Sequence, residues 1–193
     1  MTRNLLIVGA AITALSLAAC GQRTEGAATP TEQAQAPDAN PAATIPTPAN
    51  EASVPDFVAK AAASNMYEIE AAKLAQAKAK NAEVKKFAAM MVADHTKSSA
   101  DLNKAIADSG QTITPPAALP ADLQNKLDDL NKAPEFDKAY VDNQVDAHQD
   151  TLNLLQRYAQ DGDVPAIKTF AANTAPVVQK HYDEVKTLRD AMK

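Results

Sequence analysis

From position 54 onward, apolar side chains recur every third or fourth residue and charged ones fill the intervals, which is the period of amphipathic helices. A first helix is expected over 55–80, with Phe57, Ala61, Ala72, Ala75 and Ala79 on one line and Lys60, Glu70, Lys73, Lys78 and Lys80 off it. A second, over 82–109, carries Val84, Ala88, Met91, Leu102 and Ile106 on its stripe, with Lys86, Lys97 and Lys104 opposite. Gly110 is a C-terminal stop for it. A third long helix, over 134–160, lines up Val141, Leu152, Leu155 and Ala159 and stops before Gly162. A fourth, over 164–192, lines up Ile167, Phe170, Val177, Val185, Leu188 and Met192. The first and second pair, and the third and fourth, turn around within a few residues. The 110–133 connection is unusually long and holds Pro115, Pro116 and Pro120 before a short helix over 121–130. Such a link can run the length of a bundle about 39 Å tall. The fold class expected is all-α: a ferritin-like four-helix bundle of two helical hairpins joined by a long crossover with a short helix.

Residues 54–193 are enough for one domain with a real core. What precedes them has a different texture. Positions 1–19 combine Arg3, an apolar run from Leu5 to Ala19 and small residues at the end, the three parts of a secretory signal. That run is too short to span a bilayer comfortably. Leu17-Ala18-Ala19-Cys20 resembles the lipobox of bacterial lipoproteins, so Cys20 is the expected lipidation site and membrane tether; an ordinary signal peptide with a chance cysteine is the alternative. Gly21 stands where Asp would favour inner-membrane retention in such lipoproteins, so the expected location is the cell envelope, at the outer membrane facing the periplasm. Residues 20–53 are rich in Ala, Pro, Thr and Gln, with five prolines and almost no bulky apolar side chain. They cannot form a core and read as a disordered spacer of roughly 30 Å as a coil.

Charge narrows the partners. The net charge is −5, and removing residues 1–19 removes only Arg3, which makes it −6. Lysines are scattered among the acids, so no basic patch indicates nucleic acid and no basic amphipathic face indicates direct membrane binding. Cys20 is the only cysteine, which excludes an intramolecular disulfide and a cysteine-based metal site. No serine or cysteine accompanies the histidines in a nucleophile arrangement, so no catalytic residue is assigned and a binding or structural role is expected ahead of an enzyme.

The stripes carry the candidate chemistry. His95, His148 and His181, all the histidines of the chain, and Glu68 fall on the inward lines of four different helices. Glu68 lies 13 residues before Asn81 and His95 14 after it; His148 lies 14 before Gly162 and His181 19 after, an offset that Pro176 can absorb in part by kinking its helix. Imidazole nitrogen and carboxylate oxygen replace water around a divalent cation, so these four predict one Fe, Zn, Mn or Cu ion in the bundle core. Asp94, Asp137, Gln144 and Glu184 are the expected supports of the ligands. A copper site would recruit Met91, one turn from His95, although core filling also accounts for this methionine. The open alternative is a metal-free buried polar network that fixes helix register, in a structural or partner-binding envelope protein whose partners are unknown. A two-metal ferroxidase is disfavoured, because Val92 and Val178 stand where Glu-x-x-His motifs would need glutamate.

At Met66-Tyr67-Glu68-Ile69-Glu70, Met91-Val92-Ala93-Asp94-His95-Thr96, Phe136-Asp137-Lys138-Ala139-Tyr140, His148, and Phe170-Ala171 leading to Pro176 and His181, the chain resembles the domain-of-unknown-function family numbered 4142. Its members are described as outer-membrane proteins and grouped with ferritin-like folds. The resemblance implies a helical fold and an envelope location, and carries no activity.

Overall fold

The computed structural model describes residues 53–193; the expected signal segment, Cys20 and nearly all of the spacer lie outside the described residues. Among the described residues there are five helices and no strand: α1 (Val54–Lys78), α2 (Ala82–Ser109), α3 (Ala121–Lys132), α4 (Phe136–Asp161) and α5 (Pro165–Ala191). None is long and apolar enough to cross a membrane.

Local chemistry sets most of these ends. Ser53 accepts a hydrogen bond from the Asp56 amide at 3.4 Å, and Pro55 follows in the first turn, where its missing N–H costs nothing. The α1 to α2 turn is sealed twice. Asn81 Oδ1 accepts from the amides of Glu83 (2.8 Å) and Val84 (3.4 Å), and the Asp137 carboxylate, from the start of α4, accepts from those of Lys80 and Asn81. Gly110 ends α2 with φ 68°, a left-handed conformation that side chains resist. Gly162 ends α4 for a different reason: a Cβ there would lie 2.5 Å from the Tyr158 ring and carbonyl. α4 begins two residues later than the sequence pattern predicts, because Pro134 and Glu135 form a turn leading out of α3. α5 continues through Pro176 as one helix.

The helices close a ring of contacts: α1 on α2, α2 on α5, α5 on α4, and α4 back on α1. α3, part of the long link, rests on α1 and α4. The apolar side chains inside that ring form two separate lobes. One is built around Tyr67, Ala72, Val84, Phe87, Met91, Tyr140 and Val185. The other holds Phe57, Leu102, Leu155, Tyr158, Ile167 and Phe170, with Phe57 stacked on Tyr158 at 4.0 Å between centroids. On every long helix the break between the lobes falls at the same place. It lies between Ala61 and Tyr67 on α1, Met91 and Leu102 on α2, Val145 and Leu152 on α4, and Val178 and Val185 on α5. The buried Asn65, His95, His148 and His181 occupy those breaks, and Glu68 and Gln144 stand at their edge.

Candidate metal centre

His95, His148 and His181 come from α2, α4 and α5 and are 1–3 % exposed. Their ring centroids form a nearly equilateral triangle with sides of 5.7, 5.7 and 5.6 Å. One nitrogen of each ring lies within 4.8 Å of one from each of the others. A tetrahedral site with bonds of about 2.0–2.1 Å wants its nitrogens about 3.4 Å apart. The triangle therefore fits a cation after a small inward adjustment of the rings.

The hydrogen bonds around the triangle decide which nitrogens are available. His148 Nδ1 lies 2.8 Å from the Gln144 backbone carbonyl, which can only accept, so Nδ1 carries the hydrogen. His95 Nδ1 donates to Asn65 Oδ1 at 2.9 Å, and Asn65 is oriented for this by its own Nδ2, which donates to Ser98 Oγ. His181 Nε2 donates to Asp94 Oδ2 at 2.9 Å. Each outer nitrogen is thus held as a donor, and the neutral ring's lone pair is left on the other nitrogen. Those other nitrogens, His95 Nε2, His148 Nε2 and His181 Nδ1, are buried and have no partner among the described residues.

A family profile described as a domain of unknown function, DUF4142, matches residues 38–188. The chain belongs to the DUF4142 family. No curated protein and no solved structure matches it.

Electrostatics in this DUF4142 domain favour uncharged rings at His95 and His181. Burial, and then the neighbouring His148 and His181, hold His95 well below the usual histidine range. Burial also lowers His181, against the opposing pull of the Asp94 hydrogen bond. Neutral imidazole is the form that binds a metal.

Glu68 is 1 % exposed, and the structure places it beside the triangle rather than within it. Its Oε2 accepts from Gln144 Nε2 at 2.6 Å, while Oε1 lies 3.9 Å from His148 Nδ1, the nitrogen already bonded to the Gln144 carbonyl. Oε1 itself has no hydrogen-bond partner among the described residues. Burial raises the Glu68 carboxyl above its ordinary range, partly offset by His148, the Gln144 bond and Lys126. The same buried charge adds to desolvation in raising Tyr140 and Tyr67.

The expected supporting residues divide. Asp94 contacts His181 and Gln144 contacts both Glu68 and His148, so both belong to the centre. Asp137 does not: it shares a line with His148 but lies 11 residues earlier, roughly 16 Å along the axis, and caps the α1 to α2 turn. Glu184 is exposed on α5, since three residues after His181 is about 60° off the buried line. Met91 is buried within an apolar lobe beside Phe87 and Ala88. Sequence reasoning missed Asn65 and Ser98. Asn65 did carry a signal, being a polar residue on the inward line of α1 one turn before Glu68.

Proposed function

We propose that this DUF4142 domain is a ferritin-like four-helix bundle that holds one divalent metal ion on His95, His148 and His181. The ring of helix contacts and the long α2 to α4 link support the bundle reading. One observation carries the metal reading: three buried imidazoles, their ring centroids within 5.7 Å of one another and each with one nitrogen held as a donor, keep the other nitrogen unpartnered among the described residues. A metal-free packing network accounts for the outer hydrogen bonds. It leaves three buried nitrogens unmet, at roughly 1–3 kcal/mol each.

Three neutral nitrogens suit Zn or Cu, and Fe after them; Mn, which prefers carboxylate and water, fits less well. When bound, such an ion would supply Lewis-acid chemistry, or one-electron chemistry if it were Cu or Fe. The chain's own part is to fix three tautomers and exclude water from the layer. Glu68 and Asp94 supply two carboxyls close to the site, which suits a doubly charged guest.

We also infer that the domain is carried at the cell envelope as a lipoprotein anchored through Cys20, on the outer membrane facing the periplasm. Support comes from the Leu17-Ala18-Ala19-Cys20-Gly21 run and the proline-rich spacer after it. Cys20→Ser is expected to move the protein from the membrane fraction to the soluble one, and unchanged fractionation would sink the anchor.

The metal reading is tested by elemental analysis of the purified protein after exposure to Zn, Cu, Fe and Mn salts, beside a His95→Ala variant. The expectation is about one ion per chain, lost in the variant. Absence of stoichiometric metal under all four loadings would leave a packing network.

A further inference from the structure

Three buried nitrogens can take up a cation only if one side of the bundle lets it through. The α1–α4 side is shut: Glu68, Tyr140, Gln144 and His148 are each 0–1 % exposed there. A cleft does lie between α1, α3 and α4, but its lining includes none of the residues bonded to the three rings.

The α2–α5 side is built differently. A groove of about 550 Å³ runs between these helices, with Asp94 and Ser98 of α2 in its wall. Asp94 holds His181 Nε2, and Ser98 accepts from Asn65, which in turn holds His95 Nδ1. Two of the three rings are thus held by hydrogen bonds that end in the groove wall. One ring also joins that wall to the triangle directly: His181 Nε2 bonds Asp94 at 2.9 Å, and Nδ1 of the same ring is a buried, unpartnered nitrogen. Val177, one turn before His181 on α5 and 42 % exposed, lines the groove as well.

Charge favours a cation beside Asp94. The two lysines of the lining are already engaged at 2.6 Å, Lys97 with Asp101 and Lys104 with Asp108. Asp94 bonds no lysine among the described residues, and its partner His181 is a ring that burial holds toward the uncharged form. The part-exposed carboxylate nearest the triangle on this side therefore keeps its charge for an incoming ion.

Resting on the metal reading, we propose that the α2–α5 groove is the entry route for the divalent cation, with the Asp94 carboxylate as first contact and the His181 ring as gate. Asp94 then has two roles that separate kinetically. Its charge speeds arrival, and its hydrogen bond to Nε2 slows loss by holding the ring in place. When the carboxylate leaves Nε2 to meet a cation, it also frees the ring to turn.

The test is stopped-flow absorbance of the full chain mixed with Cu²⁺ at low ionic strength, followed by release into excess EDTA. Asp94→Asn, which keeps an acceptor oxygen for Nε2, is expected to slow uptake about tenfold and to remove most of its salt dependence. Val177→Phe narrows the groove from an exposed position. It is expected to slow uptake and release by the same factor, about fivefold or more, because a narrowed passage raises the barrier in both directions and leaves affinity unchanged. Asp150→Asn, in the cleft between α1, α3 and α4, is expected to change neither rate. Unchanged uptake in both Asp94→Asn and Val177→Phe, with about one Cu²⁺ per chain still bound, would overturn the route and leave the metal reading standing. Slower uptake in Asp150→Asn alone would overturn it too, as would faster release without slower uptake in Asp94→Asn, which would reduce that carboxylate to holding a ring. No Cu²⁺ uptake by the unmodified chain would remove the metal reading and the route together.

Discussion

Two carboxylates flank the histidine triangle, and the two sides are built differently. On the α2–α5 side, Asp94 is 40 % exposed and sits 2.9 Å from His181, itself 2 % exposed. On the α1–α4 side, Glu68 and His148 are each 1 % exposed and 3.9 Å apart, with the backbone carbonyl of Gln144 already taking the His148 hydrogen. The half-solvated carboxylate therefore orients a ring by a direct hydrogen bond. The buried one lies nearby without bonding the ring, while a neutral carbonyl does the orienting. Distance and burial thus separate two residues that a sequence presents as similar acids: Asp94 bonds a ring nitrogen directly, and Glu68 reaches the layer through Gln144. Glu68 bears the greater desolvation cost, which is why its carboxyl is pushed up.

This comparison can be broken at several points. The largest effect is expected from His148→Ala, which removes a ligand on the Glu68 side and takes bound metal from about one ion per chain to near none by elemental analysis. Retention of stoichiometric metal would show that the triangle is not the site. Asp94→Ala leaves all three rings in place but frees His181 to rotate, and a competition titration with a chelating dye is expected to read about 10–100-fold weaker affinity. Glu68→Gln, by contrast, is expected to change affinity by less than about threefold, because it removes charge without removing a ligand or an orienting bond. A loss as large as that from His148→Ala would instead make Glu68 a fourth ligand, as its position on the α1 stripe suggests.

A pH experiment sharpens the same contrast with a smaller effect. His95 and His181 are held below 6.5 in the folded chain, while their unfolded forms titrate near that value. The unfolded state then binds more protons, so this contribution is complete above pH 6.5 and is lost as pH falls toward the folded values. Glu68 runs the other way: its folded value is raised above 4.5, so raising the pH from there costs stability until the folded value is passed. In metal-free Glu68→Gln only the histidine part remains. Its melting temperature is expected to fall by several degrees between about pH 7.5 and 5.5, more steeply than in the unmodified chain. A midpoint that rises on acidification would contradict neutral, buried rings.

The helices were legible because their signals are local. Period, Pro55, Gly110 and Gly162 act within a turn or two, and the observed starts and stops differ from the pattern by only a few residues. The three histidines were legible for the same reason, since each sits in the middle of its own stripe. What a stripe cannot give is depth and rotation relative to another helix. Asp137 lies on the right line three turns too early, Glu184 lies at the right depth on the wrong face, and Glu68 meets the outer edge of His148 rather than its free nitrogen. Asn65 was visible as a polar residue on an inward line, but its partnership with His95 depends on how α1 is set against α2.

The gap between the two apolar lobes also bears on how the chain is held together. Its single cysteine leaves no covalent means of tying one part of the fold to another. The triangle takes one ring from the first hairpin and two from the second, at positions 53 and 33 residues apart along the chain. An ion shared by those rings would behave as a reversible cross-link, restricting the unfolded chain as a disulfide does and answering to chelators instead of reductants.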